Sequence, residues 1–168
     1  MIYFNMTVNN TLNQKIVTLS ELLPQVKQWK ADGKKIVFTN GCFDLLHAGH
    51  IAYLTEAASL GDILILGLNS DASVQKLKGP QRPINNETTR SALLSSMFFI
   101  NAVVFFSEDT PLELIKAIQP DILVKGGDYK PEEIVGAKET IANGGKVEVL
   151  TFLSGYSSTA IINKIKNS

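Results

Sequence analysis

The sequence predicts an α/β protein built on a doubly wound, Rossmann-like, essentially parallel sheet. Three observations carry that prediction. Short apolar runs at Lys34–Phe38, Ile63–Leu68, Ala102–Phe106, Ile122–Lys125 and Lys146–Leu150 recur with helical patterns between them. The runs are continuous in apolar character, as strands buried on both faces require. The first two are joined by one amphipathic segment, Ile51–Leu60, which makes a right-handed βαβ unit.

Each element follows from local chemistry. The first dozen residues read as a loose arm. Thr18 or Ser20 caps a helix through Glu21 to about Ala31, with Pro24 tolerable in a first turn and Asp32-Gly33 as the stop. Residues 1–33 are expected to form an arm and helix packed on a domain spanning 34–168. Gly61-Asp62 turns the chain into the second strand, and Asn69-Ser70-Asp71 ends that strand and caps a short helix. Lys76 to Asn86 reads as one long polar loop, with two lysines, an arginine and no carboxylate. Glu87–Phe98 is helical; Arg90 in its first turn opposes the helix dipole and needs a partner elsewhere. Thr110-Pro111 opens a helix to Ile118 with proline at the favoured first position. Further helices are expected over Glu133–Ala142 and Ala160–Lys166, with no internal repeat, linker or low-complexity stretch.

Composition bounds the function. A chain of 168 residues fits one domain with a sizeable core. Lys plus Arg and Asp plus Glu balance at 16 each, so no global charge argues for nucleic acid or a membrane surface. Any attraction for phosphate must come from local placement. The single cysteine, Cys42, excludes an intramolecular disulfide and a cysteine-built zinc site; it reads as a small buried hydrophobe before a nucleophile. No signal peptide or membrane span is visible, and a reducing cytoplasm is the expected location.

The chemistry concentrates where the first strand gives way to a helix. Thr39 to His50 forms a glycine-containing turn and a helix start, whose unpaired N–H groups suit phosphate. His47 and His50 are the only histidines, three residues apart on one face of that first turn. Imidazole donates hydrogen bonds to phosphoryl oxygens and, when protonated, offsets their charge. In a sheet of this kind ligands bind outside the carboxyl ends of the strands, the edge that also holds Asn69 and Asp71. Three other segments stay open between two readings. The loop from Lys76 is a solvated connection or a basic flap over polyphosphate. Gly126-Gly127-Asp128 is an ordinary turn or a close approach of backbone to ligand. Ser157-Ser158-Thr159 is a helix cap or a second anion-binding helix start.

The string Gly41-Cys42-Phe43-Asp44-Leu45-Leu46-His47-Ala48-Gly49-His50 resembles the signature of the HxGH nucleotidyltransferases, in their cytidylyltransferase-like branch. Taken with Asn69-Ser70-Asp71, Lys76-x-Lys78-Gly79-x-x-Arg82-Pro83-Ile84, Glu108-Asp109-Thr110-Pro111, Leu123–Tyr129 and Ser157-Ser158-Thr159, nearly the whole chain resembles the adenylyltransferase portion of bacterial ADP-heptose synthases. That resemblance implies transfer of an adenylyl group from ATP to D-glycero-β-D-manno-heptose 1-phosphate, a step toward lipopolysaccharide, with release of pyrophosphate. In many bacteria this portion follows a sugar kinase; no kinase region is visible here, so a stand-alone form is expected. The resemblance places His47 and His50 on the triphosphate, His50 nearer the reacting phosphorus. It places Lys78 on the transferring group, supported by Lys76 or Arg82, and Ser157, Ser158 and Thr159 on the β- and γ-phosphates. Asn40, Gly41, Cys42, Phe43, Gly49, Gly126, Asp128 and Tyr129 would surround the nucleotide. Asn69, Asp71 and Arg90 would face phosphate or acceptor. Asp44 is expected to orient the turn rather than bind metal, and Mg²⁺ to be held chiefly by the nucleotide, with no protein ligand assigned. A homodimer is implied, with no nucleic-acid or membrane partner. One departure stands out: Ile162 occupies a position where many HxGH enzymes carry arginine, with Lys164 two residues further along the final helix as the candidate to stand in for it. Two rivals remain, a CTP-using transferase for glycerol 3-phosphate or a related phosphate, and a nucleotide-binding regulatory protein without turnover.

Overall fold

The computed structural model describes residues 14–127 and 129–167. The expected arm and Asp128 lie outside them. Six parallel strands form one sheet: β1 (Ile16–Val17), β2 (Ile36–Gly41), β3 (Ile63–Asn69), β4 (Ala102–Phe106), β5 (Ile122–Gly126) and β6 (Lys146–Leu150). Their order is β1-β4-β3-β2-β5-β6. The chain therefore winds outward from β2 through β3 to β4, then returns to the other side of β2 for β5 and β6. The reversal falls between β2 and β5, and the crevice there is where such sheets take ligands.

Alternation along the strands sorts two cores. Ile36, Phe38, Ile63 and Ile65 pack with Leu22 and Val26 of α1 (Leu19–Ala31) and with Leu114, Ile115 and Ile118 of α5 (Leu112–Ile118). Val37, Leu64, Leu66 and Leu68 pack with Tyr53, Leu54 and Ala57 of α2 (Ala48–Ser59) and Leu94 of α4 (Glu87–Ser95). Helices thus cover both faces, as the apolar runs require. Between β3 and α4 lies α3 (Asp71–Lys78), and α6 (Ala137–Ala142) and α7 (Ser158–Lys166) complete the chain. No helix among the described residues is long and apolar enough to cross a membrane.

Several expected boundaries move for physical reasons. β1, too short for any periodicity, pairs with β4 and was not anticipated. Thr18, not Ser20, caps α1 through a capping box with Glu21. That start leaves Pro24 inside the helix rather than in its first turn. β2 runs on to Gly41, so Asn40 and Gly41 are strand residues at the switch point. Pro111 occupies the cap position of α5, not the first helical one. The helix expected over Glu133–Ala142 splits into a 3₁₀ turn, Pro131–Glu133, and α6, because Gly136 takes φ +85° between them. A Cβ at Gly136 would also lie 2.5 Å from Cδ1 of Ile115, so the break is fixed by packing as well.

The expected loop from Lys76 is corrected most. Lys76 and Lys78 belong to the last turn of α3, leaving a connection over 79–86 that is anything but loose. Asp44 is 2% exposed and accepts from Arg82 Nε at 2.6 Å and from the N–H groups of Ile84 and Asn85 at 2.8 and 2.9 Å. Asn85 Nδ2 returns to the Asp44 carbonyl at 3.0 Å. Burial pushes the Asp44 carboxyl up, but the Asn85 and Ile84 N–H groups and then Arg82 outweigh it, and it ends below its usual range. The loop's charge is therefore compensated.

Candidate active site

The site is assembled by the end of β2 and the start of α2. Gly41 is needed because a Cβ there would sit 2.8 Å from the Phe43 ring, which folds back against the strand end. Phe43 itself takes φ 45°, a conformation a non-glycine residue holds only when its surroundings enforce it. Its ring meets His50 with centroids 5.2 Å apart. His47 caps α2: its Nδ1 accepts from the His50 N–H at 3.3 Å. With Nδ1 accepting, the neutral ring carries its proton on Nε2, which is left to donate outward. The His47 and His50 rings stack at 3.8 Å and 19°. Gly49 permits this, since a Cβ there would come within 3.1 Å of His47 Nδ1 and of Tyr156 Cβ.

Electrostatics favour hydrogen bonding over charge as the role of these rings. Burial, then the neighbouring His47 and Lys78, push His50 down to about 4, and burial lowers His47 as well. At neutral pH His50 is therefore a neutral hydrogen-bonding group, not a cation. Its Nδ1 is buried with no partner in the protein, which leaves hydrogen-bonding capacity unspent at the helix start.

A cleft of about 600 Å³ opens at the switch point. It brings together Asn40, Gly41, Cys42, Phe43, His50, Asn69, Lys78, Gly126 and Tyr129 from the expected set. Its floor is Tyr53, whose hydroxyl lies 2.6 Å from Thr39 Oγ1 and is pushed up to about 12 by burial, so it stays protonated. Gly126 is required on the far side, since a Cβ there would approach the Phe152 ring to 2.4 Å and Tyr53 to 3.0 Å. The sequence places Lys125 in the segment Leu123–Tyr129 without giving it a role at the site, and it singles out neither Tyr53 nor Phe152. A lysine closing the apolar run Ile122-Leu123-Val124 was the available signal for Lys125.

Other expected residues do different work. Arg90 is fully buried and does not reach the cleft. It donates to Cys42 O at 2.7 Å, Asn85 O at 3.1 Å and Asp71 Oδ1 at 2.8 Å, and so pins the histidine-bearing turn to α3 and α4. The partner its helix position demanded is Asp71, so neither residue is available to phosphate in this arrangement. Arg82 is held by Asp44, and Lys76 pairs with Asp109 at the surface, so Lys78 alone of the three enters the cleft. Ser157 caps α7 by accepting from Ala160 N at 3.0 Å, and Ser158 Oγ donates to Leu45 O at 2.9 Å. The second contact binds the start of α7 to the histidine turn, where Tyr156 stacks at 6.2 Å from His47. Thr159 is exposed.

A parallel sheet with a glycine turn, paired histidines and a helix start at its switch point defines a Rossmann-like protein of the nucleotidyltransferase type. The chain belongs to the cytidylyltransferase-like family, whose model matches residues 38–164. It is 56% identical over 151 residues to the bifunctional protein HldE of Vibrio cholerae serotype O1, and 58% identical over 151 residues to that of Haemophilus influenzae. Each alignment covers 90% of this chain and 32% of the relative, so the chain spans about a third of the length of these proteins. Among solved structures, a lipopolysaccharide core biosynthesis protein from Thermoplasma volcanium is similar at TM-score 0.59 and 29% identity, covering 74% of this chain and 100% of that one. A pantoate-beta-alanine ligase from Francisella tularensis shares the fold at TM-score 0.59 and 16% identity, covering 91% of this chain and 78% of that one.

Proposed function

We propose that this chain transfers an adenylyl group from ATP to D-glycero-β-D-manno-heptose 1-phosphate, giving ADP-heptose and pyrophosphate. The observation that carries this reading is the cleft at the switch point, lined by His50 and Lys78 beside the α2 start, in a chain more than half identical to HldE proteins through 90% of its length. The motif resemblance to ADP-heptose synthases supplies the substrates.

The mechanism follows from charge. The acceptor's phosphate oxygen is already ionised at neutral pH, so no side chain serves as general base. That oxygen attacks the α-phosphorus; the new P–O bond forms as the bond to the β-phosphate's bridging oxygen breaks, and pyrophosphate leaves with the electron pair. Catalysis then consists of positioning and of stabilising charge that builds on the α-phosphoryl and leaving oxygens. The His50 ring and the free N–H groups of the first turn of α2 supply preorganised donors, with His47 stacked on His50 behind them and Lys78 supplying a positive charge in the cleft. Among the described residues no cluster of three His, Cys, Asp or Glu could hold a metal ion, and Asp44 spends its carboxylate on its own loop. Mg²⁺ held through the nucleotide's phosphates would neutralise part of their charge.

The nucleotide decides between the leading reading and its closest rival. Pyrophosphate release measured with ATP and CTP in competition, over a set of sugar and polyol phosphates, should give the higher specificity constant with ATP and a heptose 1-phosphate. A higher constant with CTP would overturn the assignment, and absence of turnover with every pair would leave the regulatory reading.

A further inference from the structure

We infer that Lys125 is the anchor for the acceptor's phosphate, a binding residue on the opposite side of the switch point from the triphosphate cradle. The inference rests on the nucleotidyl-transfer reading above. Lys125 stands near the carboxyl end of β5, half-buried, and lines the cleft together with Asn40, Cys42 and Gly126. Its ammonium donates to Asn40 Oδ1 at 3.3 Å, across the gap between β5 and β2 where the sheet order reverses. That contact is long and its acceptor is neutral. Burial lowers the Lys125 pKa, and only the Cys42 thiol, when ionised, works against that.

Two withdrawn cations beside the histidine turn show what is missing. Arg82 holds Asp44 at 2.6 Å and Arg90 holds Asp71 at 2.8 Å. Lysine is rarely taken out of water without a counter-charge, because the ammonium loses hydration that a neutral amide cannot replace. Among the described residues no carboxylate forms an ion pair with Lys125; Glu133 lines the same cleft without pairing to it. The uncompensated charge faces the ligand space.

Which anion it meets follows from the reaction. Two polyanions must converge on one phosphorus. The first has His47, His50, Lys78 and the α2 start, all following β2 or β3. The second needs its own positive charge, close enough to offset repulsion yet on another wall of the cleft. Lys125, the cation contributed by β5, meets both conditions. A single ammonium suits a phosphate monoester as a point charge.

The test uses the full chain saturated with an ATP analogue carrying a methylene between the α- and β-phosphorus, titrated calorimetrically with the heptose 1-phosphate and, separately, with inorganic phosphate. Lys125→Met should weaken both phosphates about 10-fold or more, the size of a lost charge-assisted hydrogen bond, while affinity for the analogue is unchanged. Lys125→Arg should recover part of the loss. Because the substitution removes an unpaired, half-buried charge, the Met variant should melt at or above the wild-type temperature. Unchanged phosphate affinity, weakened analogue affinity instead, a lower melting temperature with normal phosphate binding, or a wild type that binds neither phosphate would each overturn the inference. A wild type that binds both phosphates through Lys125 but forms no ADP-sugar would sustain the anchor and defeat the proposed activity. ADP-sugar formation with an unchanged KM for the acceptor in Lys125→Met would do the reverse.

Discussion

His50→Ala should lower turnover on the order of 100-fold or more, about 3 kcal/mol of lost transition-state stabilisation, in a protein that still folds. The ring stacks on His47 and touches Phe43, so its removal trims one edge of the site and leaves the sheet intact. A residue that only packed there would cost about 1 kcal/mol of stability and leave per-molecule turnover unchanged. Because the ring is neutral at neutral pH, asparagine or glutamine, which donate without charge, should restore part of the rate. Stability carries a matching signature. The folded pKa is depressed to about 4 from 6.5, so the unfolded chain takes the proton first. The neutral ring's contribution is therefore complete above 6.5 and declines as pH falls toward 4. Steady-state kinetics beside urea melts at several pH values read both effects. Near wild-type turnover in a folded His50→Ala protein would remove His50 from the chemistry.

Arg90→Met should be the most damaging substitution for folding. The guanidinium is fully buried and satisfies Cys42 O, Asn85 O and Asp71 at once. Methionine fills much of the volume but abandons two carbonyls and a carboxylate, for a loss of about 3 kcal/mol or more. In a chain of this size that corresponds to a fall of roughly 6–12 °C in melting temperature. Lysine should rescue little, since one ammonium cannot reproduce three diverging bonds from a planar fork. Thermal melts decide this, with nucleotide affinity measured well below the transition. An unchanged melt with a large loss of nucleotide affinity would return Arg90 to the phosphate site.

These two residues also show how far the sequence could be read. The strand–turn–helix around His47 and His50 was legible because continuous apolar runs and a local motif encode it within thirty consecutive positions. Arg90 announced that it needed a partner, through its place in the first turn of a helix, but not that Asp71 and two carbonyls would consume it. That outcome depends on tertiary packing, which no local period records. The segment after α3 looked free because its own stretch contains no carboxylate; the compensating Asp44 lies far upstream in the chain. Lys125 was passed over for a related reason. Strand residues in a doubly wound sheet are read as core, and only the strand order puts the end of β5 beside Asn40.

The reaction proposed for this cleft is a transfer between two phosphates. It is tested most directly by incubating the protein with ATP, Mg²⁺ and heptose 1-phosphate carrying isotopically heavy oxygen in its phosphate, then weighing the products. The expected product is an ADP-sugar that retains all of the heavy oxygen, including the bridging atom, with unlabelled pyrophosphate in equal amount. ATP consumed without an ADP-sugar, or heavy oxygen appearing in the pyrophosphate, would contradict it.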